Sequence, residues 1–136
     1  MEFLENLDEL DSCPPPGACE ENGLIVHRFT ESFPPSINDF RSWRFLNPGG
    51  DTGRFFEFLP DECERRSCSV YMDEQAARRR WQPKPGKNNR FSGMKLVRLR
   101  IRKTDGVIRK EKGGHCSWWV SVTFDPVNNG CEEVLA

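Results

Sequence analysis

The chain has 136 residues, of which 36% are hydrophobic and 30% are charged, and its formal net charge at pH 7 is −1. This length is typical of one domain, so we expect a single core that draws on four tryptophans and ten phenylalanines rather than two separate cores. No stretch approaches the roughly 18 apolar residues that cross a bilayer, and the start lacks the basic and then apolar order of a secretory signal. These features predict a cytoplasmic protein with no membrane partner.

The charge is distributed unevenly along the chain. Residues 1–68 contain 14 acidic and 6 basic residues, whereas residues 69–136 contain 7 acidic and 14 basic residues. Between Arg78 and Lys110, 13 lysines and arginines occur with a single acid, Asp105. Such a basic segment is typical of proteins that bind nucleic acid or an acidic protein surface.

Residues 1–22 are predicted to be an acidic tail and proline-rich linker, followed by a single domain at residues 23–136. The proline run that follows Cys13 breaks any helix. Before it, four apolar residues recur at helical spacing, which predicts a short amphipathic helix that fits a groove on a partner protein. These four residues are Phe3, Leu4, Leu7 and Leu10.

The first half of the domain contains four predicted elements. Leu24–Phe29 is rich in β-branched and aromatic residues and predicts a strand, after which Ser36 is placed to cap a short helix. Cys68–Met72 predicts a second strand. Asp73 then caps a predicted helix over Glu74–Trp81, whose good helix formers stop before a proline.

The second half of the domain is predicted to be mainly strands. Met94–Lys103 alternates in polarity, and Asp105-Gly106 signals a tight hairpin with Val107–Arg109 returning antiparallel. Ser117–Phe124 also alternates and predicts a half-buried strand, after which Asp125–Gly130 ends the regular structure. The expected fold class is therefore α+β, with a mainly antiparallel, twisted sheet of five or six strands and two or so short helices.

Two groups of arginines are candidates for binding. In the second half of the predicted strand Met94–Lys103, every second residue is an arginine. These side chains share one face of the strand at intervals of about 6–7 Å, a spacing that suits successive phosphates of a nucleic acid. These residues are Arg98, Arg100 and Arg102. The second group closes the predicted helix, where cations also interact favourably with exposed carbonyls. It consists of Arg78, Arg79 and Arg80. A solvated strand face, partly neutralised by the acidic first half, is the alternative interpretation.

Cysteine and histidine residues are candidates for metal or nucleophile chemistry. Because nothing in the sequence indicates export, we expect the six cysteines to be free thiols. Cys63 and Cys68 match only the loosest spacing of zinc ligands, so no metal site is predicted. His115 and Cys116 are adjacent, and adjacent side chains on a strand point to opposite faces, so we do not expect them to act together.

Three elements resemble, in pattern and order, the small bacterial ADP-ribosyltransferase-like domains, a group that includes toxins. They are a first strand with the polar pair His27-Arg28, a later strand with Ser69 and Tyr71 that leads into a helix, and the long strand that follows. The resemblance implies that His27 and Arg28 hold a nicotinamide dinucleotide, NAD, and that Ser69 and Tyr71 surround its nicotinamide end. The late glutamate of that family has no counterpart within Ser117–Phe124.

Three functions follow as hypotheses. The first is a binding protein without a cofactor, whose basic face engages a nucleic acid or an acidic protein partner, for example in bacterial conflict or phage defence. The second is an ADP-ribosyltransferase-like enzyme that uses NAD. The third is an interaction protein whose N-terminal segment occupies a groove on a partner. The sequence leaves open whether the protein is an enzyme, and whether the acidic tail covers the basic face.

Overall fold

The computed structural model of the chain describes residues 1–53, 56, 57, 59, 61–82 and 91–136. Its strands are β1 (Leu24–Thr30), β2 (Cys68–Tyr71), β3 (Lys95–Ile101), β4 (Gly106–Lys110), β5 (His115–Val120) and β6 (Glu132–Val134). They form one six-stranded sheet in the order β4-β5-β2-β1-β3-β6, in which every neighbouring pair is antiparallel. The described α-helices are α1 (Trp43–Leu46), α2 (Glu62–Arg65) and α3 (Glu74–Trp81), and short 3-10 turns cover Ile37–Phe40, Lys103–Asp105 and Lys112–Gly114. The predicted α+β class is confirmed.

The main core lies on the side of the sheet that carries Val26, which we call the core face. Val26, Val70 and Ile101 are fully buried there, because the residues around the sheet fold over this face. Aromatic side chains from outside the sheet complete the layer. The ring of Phe124 lies edge-on to Trp118, with 4.9 Å between ring centroids. Buried aromatic pairs of this kind dominate the packing energy of small domains.

The opposite side of the sheet carries His27, and we call it the front face. Helix α3 packs over one part of this face, where Ala77 joins Phe29, Leu96 and Val134 in a second, smaller buried cluster. The helix begins where the sequence predicts, because the carboxylate of Asp73 accepts a hydrogen bond from the backbone of Gln75 at 3.0 Å. The remainder of the front face is polar.

Residues 1–22 are built into the domain rather than extending from it. The amide of Leu4 donates to the carbonyl of Val120 at 2.9 Å, and Leu7 is 6% exposed. Cys19 pairs through its backbone with Ile108, on the edge strand β4. Residues 3–10, all of which the structure describes, form no helix. The segment therefore closes one edge of the sheet, where an unpaired strand would otherwise offer its backbone to another chain.

A disulfide joins Cys13 to Cys63 across 50 residues of sequence. The expectation of free thiols is wrong for these two residues, because the packing of the N-terminal segment brings them together. Cys19, Cys68, Cys116 and Cys131 are free thiols.

The predicted hairpin at Asp105-Gly106 is also wrong. Strands β3 and β4 lie at different ends of the strand order, and β4 pairs instead with β5 through the short turn at Lys112–Gly114. Gly106 has a positive φ of 131° and lies where the chain crosses from β3 to β4, which are not neighbours in the sheet, rather than in a two-residue turn. Strand β6 follows the point at which the sequence predicts the end of regular structure.

We expect that Cys13→Ser destabilises the protein by about 2–4 kcal/mol, because the disulfide restricts a long loop in the unfolded chain. Urea denaturation without reductant measures this loss as a lower midpoint. The matched control is Cys19→Ser, which removes an exposed thiol outside any disulfide and should leave the midpoint unchanged. Equal midpoints for wild type and Cys13→Ser would contradict the structural role of the disulfide.

Candidate functional site

Strand register places a row of mostly polar side chains across the front face. His115 pairs with Tyr71, Tyr71 with His27, His27 with Arg98, and Arg98 with Glu132. Beyond β5 the row continues to Glu111, whose amide donates to the carbonyl of His115 at 2.8 Å. Because paired residues on antiparallel strands point to the same side, all of these side chains share one face. We call this set the polar row: Glu111, His115, Tyr71, His27, Arg98 and Glu132.

His27 lies in the middle of the row and is only 3% exposed. Its Nδ1 lies 3.0 Å from the carbonyl oxygen of Tyr71, and because a carbonyl only accepts, Nδ1 carries a proton. Its Nε2 is 3.7 Å from the carboxylate of Glu74 and makes no hydrogen bond with any residue that the structure describes. A second proton on Nε2 would turn this contact into an ion pair.

Glu74, at the start of α3, neutralises two arginines. It accepts from Nε of Arg78 at 2.9 Å and from Nη2 of Arg98, and these two guanidinium groups hold the pKa of Glu74 below its usual range. Arg98 also lies 3.5 Å from Glu132. Arg98 therefore connects the helix to the sheet, and the charges of Arg78 and Arg98 are locally compensated.

Ser69 and His115 lie within hydrogen-bond distance of each other on the front face. The Oγ of Ser69 lies 2.6 Å from Nε2 of His115. Burial lowers the pKa of His115 below its ordinary value, the charge of Arg80 lowers it further, and the charge of Glu111 opposes them. His115 is therefore mainly neutral at pH 7, a state in which Nε2 can accept the hydroxyl proton of Ser69.

The groups around His115 are held in fixed positions. The ring of Tyr71 lies edge-on to it, with centroids 5.7 Å apart, and the guanidinium of Arg80 lies 5.6 Å from the centre of that tyrosine ring. Glu111 accepts from Nε of Arg109 at 2.8 Å and from the hydroxyl of Ser117 at 3.3 Å. Neighbouring Cys116 points into the core face, where burial raises its pKa to about 11 and keeps it a protonated thiol.

Besides Lys112, in the turn that precedes β5, five basic side chains near the polar row are exposed and form no ion pair with any residue in the described part of the chain. Three of them lie at the end of β3 and just after it, and two lie in the last turn of α3. We call them the basic surface: Arg79, Arg80, Arg100, Arg102 and Lys103. Their only described polar contacts are long bonds to backbone carbonyls, such as 3.4 Å from Arg100 to Gly23.

The acids of the N-terminal segment form their ion pairs elsewhere. Glu5 binds Arg41 at 2.7 Å, and Glu9 binds Arg66 at 2.5 Å. Glu21 lies 3.2 Å from Lys110 on β4. Within the described ranges, no acid of residues 1–22 forms an ion pair with the basic surface. The structure thus gives no masking contact between the tail and this surface.

The four residues that the sequence groups as a dinucleotide site do not converge. His27, Ser69 and Tyr71 lie on the front face, whereas Arg28 points to the core face. There Arg28 donates to three carbonyls, those of Ser69 at 2.8 Å, Asp39 at 2.9 Å and Arg41 at 3.3 Å. This guanidinium joins β1, β2 and the following loop, which is a structural role.

The apolar residues of the N-terminal segment also serve the fold. Leu7 is buried, Leu4 packs against the main core, and Phe3 forms a β-bridge with Ser121. The amide of Leu10 closes a turn on the carbonyl of Leu7 at 3.0 Å. In this conformation these four residues are not displayed as one helical face for a partner groove.

Sequence reasoning missed the pairing of Ser69 with His115 and the part played by Glu74 and Glu111. Ser69 and His115 are 46 residues apart, and only the register of β2 with β5 brings them together. The one available signal was the alternation of Ser69 with its apolar neighbours, Cys68 and Val70, which are buried.

In the described ranges, no group of three or more His, Cys, Asp or Glu side chains is arranged to hold a metal ion, and no helix has the length and apolar character needed to cross a membrane. Comparison of the chain with protein-family models, curated proteins and solved structures finds no match.

The lowered pKa of His115 predicts a pH dependence of stability. The unfolded chain binds this proton more readily than the folded protein, so the free energy of unfolding falls as the pH drops below the ordinary value of 6.5. Wild type and His115→Gln are compared by urea denaturation between pH about 7.5 and about 5.5. Wild type should lose more stability over this range. Parallel losses in both proteins would contradict the lowered pKa.

Proposed function

We propose that the protein binds nucleic acid through the basic surface. The observation that supports this most directly is the division of the arginines into two groups. Arg78 and Arg98 are compensated by Glu74, whereas the five residues of the basic surface are exposed and form no ion pair in the described parts of the chain. Exposed cations without an acidic partner can neutralise phosphates, and this releases the counterions that are condensed on the nucleic acid.

The arrangement of the cations favours a phosphate backbone as the ligand. Arg100 and Arg102 are two residues apart on an extended segment, so their attachment points are separated by about 6–7 Å. Guanidinium groups bind phosphate oxygens through paired hydrogen bonds. Arg80, in α3, lies over the ring of Tyr71 and adds a cation beside an aromatic side chain. Such combinations are suited to single-stranded nucleic acid, whose bases stack on aromatic rings.

The ion pair between Glu74 and Arg98 supports the proposal by joining the two parts of the basic surface. It connects the start of α3 to the middle of β3. Arg100 lies farther along β3 on the same face as Arg98 and pairs with Ile25, which is 39% exposed.

An NAD-dependent transferase is not our proposal. The resemblance assigns Arg28 to the dinucleotide, yet this side chain would have to break three hydrogen bonds to carbonyls and leave the core face to reach it. Each bond from a charged donor contributes about 1.5–3 kcal/mol, so the rearrangement is costly.

The test measures binding of labelled oligonucleotides of about 20 nucleotides, single-stranded and duplex, by fluorescence anisotropy. We expect the logarithm of the affinity to fall linearly with the logarithm of salt concentration between about 50 mM and about 200 mM, with a slope for single strands of about −3.5 if all five cations contact phosphate. Arg100→Ala should weaken binding and make this slope less steep by about 0.7.

Lys110→Ala is the matched control, because it removes the same formal charge from a side chain that is paired with Glu21. It should leave the slope unchanged. Absence of salt-sensitive binding to either oligonucleotide would contradict the proposal. If the protein instead binds an acidic polypeptide such as polyglutamate in an Arg100-dependent way, the partner is an acidic protein surface.

A further inference from the structure

A candidate nucleophile and base lie on the front face outside the basic surface. The Oγ of Ser69 is 2.6 Å from Nε2 of His115, which is the distance at which a hydroxyl donates to an imidazole nitrogen. The two residues lie diagonally across neighbouring strands, since Ser69 pairs with Ser117 and His115 pairs with Tyr71. The sheet hydrogen bonds therefore hold both side chains in place.

We propose that Ser69 and His115 act as a nucleophile and general base that hydrolyse a carboxylic ester. Three observations support the pair in addition to its short distance. His115 is mainly neutral, as an acceptor of the serine proton must be. Glu111, held by Arg109 and Ser117, provides a negative charge that stabilises the imidazolium formed when His115 takes up the proton. Ser69 is half-buried, which leaves part of it accessible from the front face.

The neighbouring serine shows why Ser69 is the reactive one. Ser117 lies opposite Ser69 on the same face, yet its hydroxyl donates to the carboxylate of Glu111 and it is only 2% exposed. A hydroxyl that points at a carboxylate stays in a structural hydrogen bond, whereas Ser69 points at the ring nitrogen of His115. Ser117 therefore serves as the internal control for Ser69.

The reaction balances without any further group. Oγ of Ser69 attacks the ester carbonyl carbon while its proton passes to Nε2 of His115, and the negative charge moves to the carbonyl oxygen. When the tetrahedral intermediate collapses, the bond to the alcohol breaks and the alcohol leaves with the proton from His115. Water then gives a proton to His115 and attacks the acyl-serine, the bond from carbon to Oγ breaks, and Oγ recovers the proton. The products are a carboxylic acid and an alcohol.

Arg80 is an exposed cation of α3 that lies beside this pair on the front face. It lies over the ring of Tyr71, beside His115, and its charge acts on that histidine. A guanidinium in this position favours an ester that carries negative charge on its acyl side, such as a half-ester of a dicarboxylic acid.

The test treats the full chain with a fluorophosphonate probe, which forms a bond from Oγ to phosphorus and expels fluoride. Wild type should be labelled, and peptide mapping by mass spectrometry should locate the adduct on Ser69. His115→Gln should lower the rate of labelling about 100-fold, the scale of general-base catalysis. Ser69→Ala should abolish labelling, whereas Ser117→Ala, which removes one of the two hydrogen bonds that hold Glu111, should still be labelled on Ser69.

Circular dichroism and the urea midpoint establish that each variant is folded. Should a variant fail to fold, the mapped adduct on wild type decides alone: an adduct on Ser69 supports the proposal, and an adduct elsewhere or no adduct overturns it. Labelling that persists in folded Ser69→Ala also overturns it, and so does a rate that does not change in folded His115→Gln. Cys19→Ser, which removes an exposed thiol with no role in either proposal, should be labelled like wild type.

Discussion

The register of β1 is the constraint on which the rest of the structure depends. His27 pairs with Tyr71 on one side and with Arg98 on the other, and this alignment produces the polar row. A slip of one residue would move His27 to the core face and Arg28 to the front face, because side chains alternate along a strand. The three hydrogen bonds from Arg28 to carbonyls oppose such a slip, since they form only when this guanidinium lies on the core face. A residue that resembled a ligand contact thus secures the register.

With the register set, the two faces take different roles. The core face is apolar and is closed by residues that lie outside the sheet, including Phe40 and Phe124. The front face is partly covered by α3, and the rest of it carries charged and hydrogen-bonded groups. Glu74 divides the arginines there into a compensated pair and an exposed set. The same sheet therefore provides rigidity on one side and the candidate binding and reactive groups on the other.

Signals within a few residues of sequence predicted most helices and strands, but they did not predict which distant parts of the chain pair with each other. Helix α3 has the predicted bounds, Glu74–Trp81, because its cap, its helix formers and the proline after it all lie within a few residues. The alternation of β3 likewise identified its buried residues on the core face, Val97, Leu99 and Ile101, although Leu96 on the front face is buried as well. The disulfide between Cys13 and Cys63 spans 50 residues, and nothing local indicates it. The hairpin at Gly106 was predicted wrongly because a turn signal specifies backbone angles, not the strand with which the chain then pairs.

Counting charges overstated the basic character of the second half for a similar reason. Arg98, Arg109 and Lys110 lie in the basic segment of the sequence, yet each forms an ion pair with an acid that is distant in the sequence. Contacts with acids of α2, α3 and the N-terminal segment decide which of these cations remain free, and a count of charges along the sequence does not contain this information. The candidate site follows from this pairing. The cations of the basic surface, which form no ion pair in the described parts of the chain, suggest a polyanion as ligand. The close approach of Ser69 to His115 suggests a nucleophile and its base.

The most direct test of the central claim is an amide chemical-shift map of the full chain during titration with a short single-stranded oligonucleotide. We expect the largest changes at Arg79, Arg80, Arg100, Arg102 and Lys103, with little change at Arg28 and Val26 on the core face. Large changes confined to the exposed side chains of α1, such as Phe45 and Leu46, or no changes at all, would contradict the assignment of the front face as the binding surface.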